Sequence, residues 1–253
     1  METMNTHIEI SDIVKSYPFG LGKRKILHGI SLRIAAGEVF GFIGPNGAGK
    51  STLINLIMGF TRPDQGTIRV HNMLPQEPAS RRHVGYLPEG PRFYENLKAV
   101  ELLRFGCAAA NMEKRATEDA IHHLLDRLEI LHVKGRPINT YSKGMKQRLG
   151  LAMAMVHDPQ TLILDEPMSG LDPIGRNLLK RIILDLKAEG KTIFFSSHIL
   201  NDVETLCDRI GVIHQGRILY NGSAQEFRNQ ENDFEEAFVR LIQKQTEKVH
   251  SDE

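Results

Sequence analysis

The chain has 253 residues, of which 41% are hydrophobic and 25% are charged, as expected for an ordinary globular protein. Its net charge of +1 at pH 7 excludes an overall field that would attract nucleic acid, so we expect no nucleic-acid partner. The two cysteines have no spacing typical of a disulfide framework or a metal site. The longest apolar run, residues 149–156, is far shorter than the roughly 18 residues that a membrane span needs.

The first third of the chain predicts strands around one glycine-rich loop. Residues 7–10 and 30–34 alternate apolar and polar side chains, which indicates half-buried antiparallel strands. Residues 38–43 predict a buried strand that leads into the loop, and residues 52–58 predict a helix that leaves it. Further short strands are predicted at 66–70 and 84–87.

The glycine-rich loop, residues 44–52, reads Gly-Pro-Asn-Gly-Ala-Gly-Lys-Ser-Thr and matches the phosphate-binding pattern G-x-x-x-x-G-K-[ST] in full. Backbone N–H groups and the positive end of a helix dipole surround an anion in such a strand–loop–helix unit. We expect Lys50 to reach the β- and γ-phosphates and the Ser51 hydroxyl to ligate Mg²⁺. This loop alone leaves ATPases, GTPases and small-molecule kinases open.

The middle of the chain predicts helices without strands. Residues 99–110 and 113–131 have amphipathic patterns, so we expect an inserted helical subdomain at about 91–155. Strands return at 161–164 and 192–195, a hairpin is expected over 210–220, and the tail is expected to be helical. The alternation predicts a largely parallel sheet flanked by helices, with one domain over residues 7–221 and a tail over 222–253.

The predicted strand at 161–164 ends in two acids, Asp165 and Glu166. A strand buried on both faces should present charge only where it emerges at a site. Asp165 is then placed for Mg²⁺, and Glu166 can orient or deprotonate the attacking water. The alternative is an acid-rich turn without function.

Ser142 lies in a segment, residues 141–148, just before a helix predicted to begin near Leu149. Alone, the segment indicates a serine-capped helix. Placed ahead of the acidic strand, it makes the chain resemble the nucleotide-binding subunit of ATP-binding-cassette (ABC) transporters, over about residues 8–220. The resemblance implies a P-loop NTPase (RecA-like) α/β core with an antiparallel β subdomain and the inserted helical subdomain.

The resemblance also implies the roles of individual residues. Tyr17 corresponds to the aromatic residue that stacks on adenine, and His198 to the switch histidine. Ser142 and Gly144 correspond to the signature motif, and residues 169–172 to the D-loop. The residues that the resemblance assigns to nucleotide binding are Tyr17, Gly44, Asn46, Gly47, Gly49, Lys50, Ser51, Thr52, Ser142, Gly144 and Asp172.

Three positions depart from the usual family pattern. Lys143 replaces a glycine and Met145 a glutamine in the signature motif, and Glu89 stands where a glutamine is usual. Glu89 still offers an oxygen near Mg²⁺ and the water, and its charge should change the metal affinity. We therefore place Lys50, Glu89, Glu166 and His198 in catalysis and Ser51, Glu89 and Asp165 around Mg²⁺. The departures resemble those of bacterial exporter subunits.

The resemblance further implies an ATPase that powers a membrane transporter. Two subunits, identical or related, would pair head to tail and each would close the other's ATP site. An integral membrane subunit would dock between Gly90 and Leu97, at the cytoplasmic face of the plasma membrane. The alternatives are a soluble ABC-type ATPase in DNA repair or translation, and a P-loop kinase or GTPase, although the chain lacks the Asn-Lys-x-Asp element of GTPases.

Overall fold

Strands and helices alternate along the chain in the computed structural model, which describes residues 5–229, 231 and 233–251. The strands are β1 (Thr6–Phe19), β2 (Gly22–Ala35), β3 (Val39–Ile43), β4 (Gln65–Val70), β5 (Val84–Leu87), β6 (Thr161–Leu164), β7 (Thr192–Ser197), β8 (Arg209–His214) and β9 (Arg217–Ser223). The helices are α1 (Lys50–Ile57), α2 (Pro78–Arg81), α3 (Ala99–Ala109), α4 (Lys114–Arg127), α5 (Lys143–Met155), α6 (Pro173–Ala188), α7 (Leu200–Leu206), α8 (Ala224–Arg228) and α9 (Phe234–Ser251). The predicted tail, 222–253, includes residues 230, 232, 252 and 253, which lie outside the described residues.

The larger sheet has the order β5-β6-β7-β3-β8-β9, and its first five strands in this order are parallel. Strand β9 returns antiparallel to β8 through the predicted hairpin. Strands β3, β6 and β7 are buried at every position, as a sheet covered on both faces requires. The predicted largely parallel sheet is confirmed. Because β6, β7 and β3 are neighbours, the chain segments that follow them meet at one edge.

The two faces of this sheet belong to different hydrophobic clusters. Phe40 and Phe42 of β3 pack with the antiparallel sheet, whereas Val39 and Ile43 pack with the helices. Successive side chains of a strand point to opposite faces, so one short apolar strand serves both clusters. The strand that leads into the glycine-rich loop is therefore packed into both clusters.

The smaller sheet is antiparallel and has the order β2-β1-β4. Its strands β1 and β2 are much longer than predicted, because register shifts between Ile10 and Ile13 and between Lys15 and Ser16 interrupt the alternation of side chains. Tyr17 lies inside the hairpin that these two strands form, opposite Arg24.

Helices α3, α4 and α5 follow β5 and precede β6 in the chain, and they pack against one another. No strand interrupts this part of the chain in the described residues. The start of α5 was predicted wrongly. It begins at Lys143, six residues before Leu149, because a polar stretch with a glycine forms the first turns and conceals the helical pattern. Among the described residues, no helix combines the length and the apolar composition that a bilayer crossing requires.

Candidate nucleotide site

A cavity of about 790 Å³ opens where β3, β6 and β7 end. Most of the residues that the sequence assigned to nucleotide chemistry line it. Two further lining residues, Arg24 and Ile26, were not predicted, and Ser169 was predicted only as part of the D-loop. The predicted residues in its wall are Tyr17, Asn46, Gly47, Gly49, Lys50, Ser51, Thr52, Glu89, Glu166 and His198.

The glycine-rich loop owes its shape to positions that tolerate no side chain. Gly47 and Gly49 have φ values of +78° and +114°, in the region that favours glycine. At Gly44, an added Cβ would lie 2.2 Å from the carbonyl oxygen of Ile213. Helix α1 begins at Lys50, within the loop, so its free N–H groups and positive dipole end face the cavity. The loop is thereby arranged to bind an anion of phosphate size.

Lys50 crosses the buried floor of this loop. Its ammonium donates to the carbonyl oxygen of Gly44 at 2.7 Å and lies 3.5 Å from Oε1 of Glu166. The other carboxylate oxygen of Glu166 lies 2.7 Å from Nδ1 of His198. Both Lys50 and Glu166 are more than nine-tenths buried, so the water around them is largely displaced. The structure thus joins three predicted catalytic residues from three different motifs.

The two acids after β6 are held by a residue that the sequence did not single out. The Ser196 hydroxyl donates to Asp165 at 2.6 Å and accepts from the backbone N–H of Glu166 at 2.9 Å. Glu166 has a φ of +47°, which is uncommon for a residue with a side chain. This conformation turns Glu166 into the cavity while Asp165 stays below it. No local motif signals Ser196, because its partners lie about 30 residues away in sequence.

Burial raises the pKa of the Asp165 carboxyl, and hydrogen bonds from Ser196 and Ser51 partly oppose this effect. The Ser51 hydroxyl and the Asp165 carboxylate are therefore neighbours, and both are oxygen ligands of the kind that Mg²⁺ prefers. No cluster of three or more acidic, histidine or cysteine side chains suited to a metal occurs in the described part of the chain. Mg²⁺ needs none, because it takes its remaining ligands from phosphates and water. The residues present thus fit Mg²⁺ with a triphosphate.

Tyr17 and Glu89 also line the cavity, although they lie outside the glycine-rich loop and outside the acidic pair that follows β6. Tyr17 is partly buried, and the ammonium of Lys15 lies 5.3 Å from its ring centroid. Arg24, its partner across the hairpin, also lines the cavity. Glu89 follows β5, the edge strand beside β6. An aromatic ring at this rim can stack on a base.

Of the signature and D-loop residues, Ser169 lines this cavity, whereas Ser142, Gly144 and Asp172 do not. Ser142 caps α5, and its hydroxyl accepts from the N–H of Met145 at 3.2 Å. Asp172 caps α6 and accepts from the N–H of Gly175 at 2.7 Å. Gly144 faces Leu171, and the side chain of Lys143 passes directly over Gly170. Apart from Ser169, the two motifs therefore form one surface that lies outside the cavity of their own chain.

A second residue missed in the sequence ties this surface to the acids. The buried side-chain amide of Gln147, on α5, donates to the carbonyl oxygen of Pro167 at 3.0 Å. Pro167 directly follows Glu166 in the chain. The signature helix is thus bonded to the segment that carries the predicted base.

The chain is similar to known proteins along most of its length. Residues 27–169 match the family model described as ABC transporter. An uncharacterized ABC transporter ATP-binding protein of Nostoc sp. is 42% identical over 245 residues, which cover 92% of this chain and 72% of the relative.

Two further similarities extend over nearly the whole chain. The lantibiotic transport ATP-binding protein SrtF of Streptococcus pyogenes is 38% identical over 235 residues, covering 93% of this chain and 97% of the relative. A solved structure described as the ATP-binding subunit of an ABC transporter has a TM-score of 0.84 and 31% identity, covering 93% of this chain and 99% of that one.

Proposed function

The chain belongs to the ABC transporter family as an ATP-binding, ATP-hydrolysing subunit that uses Mg²⁺, and we propose that two such subunits pair head to tail around ATP to drive an exporter. One observation carries the pairing. Ser142 is exposed at a helix N-terminus yet does not line the nucleotide cavity of its own chain. Such a terminus suits phosphate, and a second subunit, identical or related, would bring phosphate to it.

Each side chain of the cavity has a proposed part in ATP hydrolysis. Lys50 and the N–H groups of the loop hold the phosphates, and Tyr17 stacks on the adenine. Glu166 takes the proton of the attacking water, and His198 holds Glu166 in place through the 2.7 Å contact. Ser51 and Asp165 would hold Mg²⁺, which neutralises charge on the phosphates. Asn46, Gly47, Gly49 and Thr52 complete the wall.

The closing subunit supplies the remaining contacts in this proposal. Ser142 and Gly144 contact phosphate from the far side, and Asp172 fixes the neighbouring D-loop by capping α6. Lys143 adds a positive charge to this surface, and Glu89 adds a negative charge beside the metal. We expect both to change turnover without preventing closure.

The direction of transport is proposed as export, because SrtF is named a lantibiotic transport protein. The soluble alternative in DNA repair or translation is not favoured, since the relatives are named as ABC transporter and transport proteins. The transported molecule would be recognised by the membrane subunit.

We place the docking of that membrane subunit between Gly90 and Leu97, at the cytoplasmic face of the plasma membrane. A groove of about 370 Å³ lies there, and its lining combines apolar with charged residues: Pro91, Phe93 and Ile138 with Arg92, Glu95 and Lys146. Beside it Tyr94 is 81% exposed. A helix from the membrane subunit would find apolar and charged side chains in the groove and an exposed aromatic side chain beside it.

Mixing two inactive variants tests the head-to-tail arrangement. Lys50→Ala should abolish phosphate binding in the cavity, and Ser142→Glu should repel phosphate at the closing surface. In mixed dimers one of the two sites combines the intact halves, so about a quarter of the native sites should be restored. ATP hydrolysis and ATP-dependent dimer formation are measured for each variant and for the mixture. A site completed within one chain would leave the mixture as inactive as its components.

A further inference from the structure

The β1–β2 hairpin extends beyond the sheet that carries it. Strand β4 pairs with β1 only as far as Val14, opposite Gln65. Beyond that point the described register of β1 involves β2 alone, with Tyr17 opposite Arg24 and Phe19 opposite Gly22. Residues 16–25, which we call the tip ribbon, therefore form a two-stranded projection at the side of the nucleotide cavity.

The end of the tip ribbon is apolar and exposed. Phe19 is 67% exposed, and Leu21 is fully exposed. Phe19 directly precedes a two-residue turn that consists of Gly20, with a φ of +57°, and Leu21. This φ suits a type II′ hairpin turn, in which the geometry needs glycine at the first position and does not need leucine at the second. Single exposed apolar residues are common, but two at the end of one projection are not explained by folding.

Three cations follow this apolar end along β2, and no acidic residue accompanies them in this part of the sequence. Lys23, Arg24 and Lys25 are all exposed, and the sequence has neither aspartate nor glutamate between Ile13 and Gly37. None of the three takes part in an ion pair among the described residues. The Arg24 guanidinium lies 5.9 Å from the ring centroid of Phe19, so positive charge directly adjoins the apolar surface.

We propose that the tip ribbon binds an anionic membrane surface, with Phe19 and Leu21 inserted at the headgroup level and Lys23 and Lys25 against lipid phosphates. Apolar side chains next to uncompensated cations match this environment. The residues at its end, Phe19, Leu21 and Lys23, line neither the nucleotide cavity nor the groove near Phe93. The inference goes beyond the proposed function, because ATP hydrolysis does not require it and the mixing experiment does not test it.

Vesicle co-sedimentation of the full-length chain tests the proposal. Phosphatidylcholine vesicles are compared with vesicles that contain about one third phosphatidylglycerol, at roughly 0.1 M and 0.5 M salt. We expect partitioning to the anionic vesicles that weakens at high salt. Phe19→Ser with Leu21→Ser, and separately Lys23→Gln with Lys25→Gln, should each lower it by about tenfold or more.

Phe105→Ser is the matched control, since Phe105 is equally exposed on α3 and should leave the partitioning unchanged. Circular dichroism confirms that each variant is folded. Equal binding to neutral vesicles, no binding, or binding that the tip variants do not change would overturn the proposal. If the tip variants instead lost only their binding to a purified integral membrane subunit in detergent, the tip would dock a protein and the proposal would be wrong.

Discussion

One hydroxyl group, that of Ser196, positions both acids at the end of β6. It donates to Asp165 and accepts from the backbone of Glu166. Because a hydrogen bond to a carboxylate favours its charged form, Ser196 opposes the rise that burial causes in the pKa of Asp165. If Asp165 holds Mg²⁺ as proposed, the Ser196 hydroxyl would support metal binding through Asp165, without contacting the metal itself.

Ser196→Ala should destabilise the chain by about 1.5–3 kcal/mol, since a buried charged group loses a hydrogen bond. It should also raise the Mg²⁺ concentration needed for half-maximal ATP hydrolysis, because the pKa of Asp165 rises further. Ser80→Ala is the control: this serine is also buried and donates to the carbonyl oxygen of Glu77 at 2.9 Å. If both variants kept the native Mg²⁺ dependence, Ser196 would have only a structural role.

At the residue scale, the sequence predicted those site residues that lie in local motifs. Gly49, Lys50 and Ser51 are recognisable because a phosphate loop is made by consecutive residues. Ser196 and Gln147 were missed because their partners lie some 20 to 30 residues away, and such contacts exist only in the folded chain.

At the scale of elements, the contact of α5 with β5 has no spare room. An added Cβ at Gly85 of β5 would lie 2.0 Å from the carbonyl oxygen of Ala154 on α5 and 2.8 Å from Leu162. The backbone of the signature helix thus rests directly on the strand that leads to Glu89. Any side chain at Gly85 must move one of the two elements.

Gly85→Ala should therefore destabilise the chain by about 2–3 kcal/mol through overpacking. The control is Gly135→Ala, where an added Cβ meets no atom within 4 Å, and the change should stay within about 0.5 kcal/mol. Urea unfolding of the two variants measures the difference. Equal stability of the two would show that α5 can shift freely.

Three histidines join the two sheets on the side away from the cavity. The ring centroids of His7 and His71 are 4.1 Å apart, and those of His71 and His83 are 5.0 Å apart. His7 Nδ1 lies 2.8 Å from the Thr192 hydroxyl, and His71 Nε2 lies 2.9 Å from that of Thr161. Burial, followed by the charges of His7 and His83, lowers the pKa of His71 to about 4.

This pKa predicts a loss of stability in acid. Below about pH 6.5 the unfolded chain binds a proton at His71 that the folded chain excludes, so stability falls until about pH 4. In His71→Gln this fall should be smaller by about 1–2 kcal/mol, after allowance for partial exposure. Unfolding at pH 7 and pH 4.5 measures it, with His123→Gln of the exposed α4 surface as control. Identical falls in both variants would contradict the low pKa.

Among the elements, the buried strands were the easiest to predict and the hairpin the hardest. Strands β3 and β6 are apolar runs that lead into the phosphate loop and the acidic pair, and their patterns favour no other secondary structure. The β1–β2 hairpin is shifted in register by bulges, and the first turns of α5 are polar. In both cases tertiary pairing decides the structure while the local pattern is weak.

At the scale of the whole molecule, ATP should control the association of subunits. Glu166→Gln keeps the shape of the side chain and its contact with His198 but removes the base, so hydrolysis should fall by about 100-fold or more. Light scattering should then show the 28.5 kDa chain as a stable dimer with ATP. Lys50→Ala, which lacks the phosphate contact, should stay monomeric. Unchanged hydrolysis in Glu166→Gln would refute the assigned base.

The contact between Lys50 and Glu166 has a consequence for the state of Glu166 before a nucleotide binds. A triphosphate that binds Lys50 competes with Glu166 for the same ammonium, so nucleotide arrival is what would release the carboxylate to act on water. In the proposed mechanism, ATP and the carboxylate of Glu166 therefore compete for the ammonium group of Lys50. A cassette built in this way restrains its own base unless its substrate is bound.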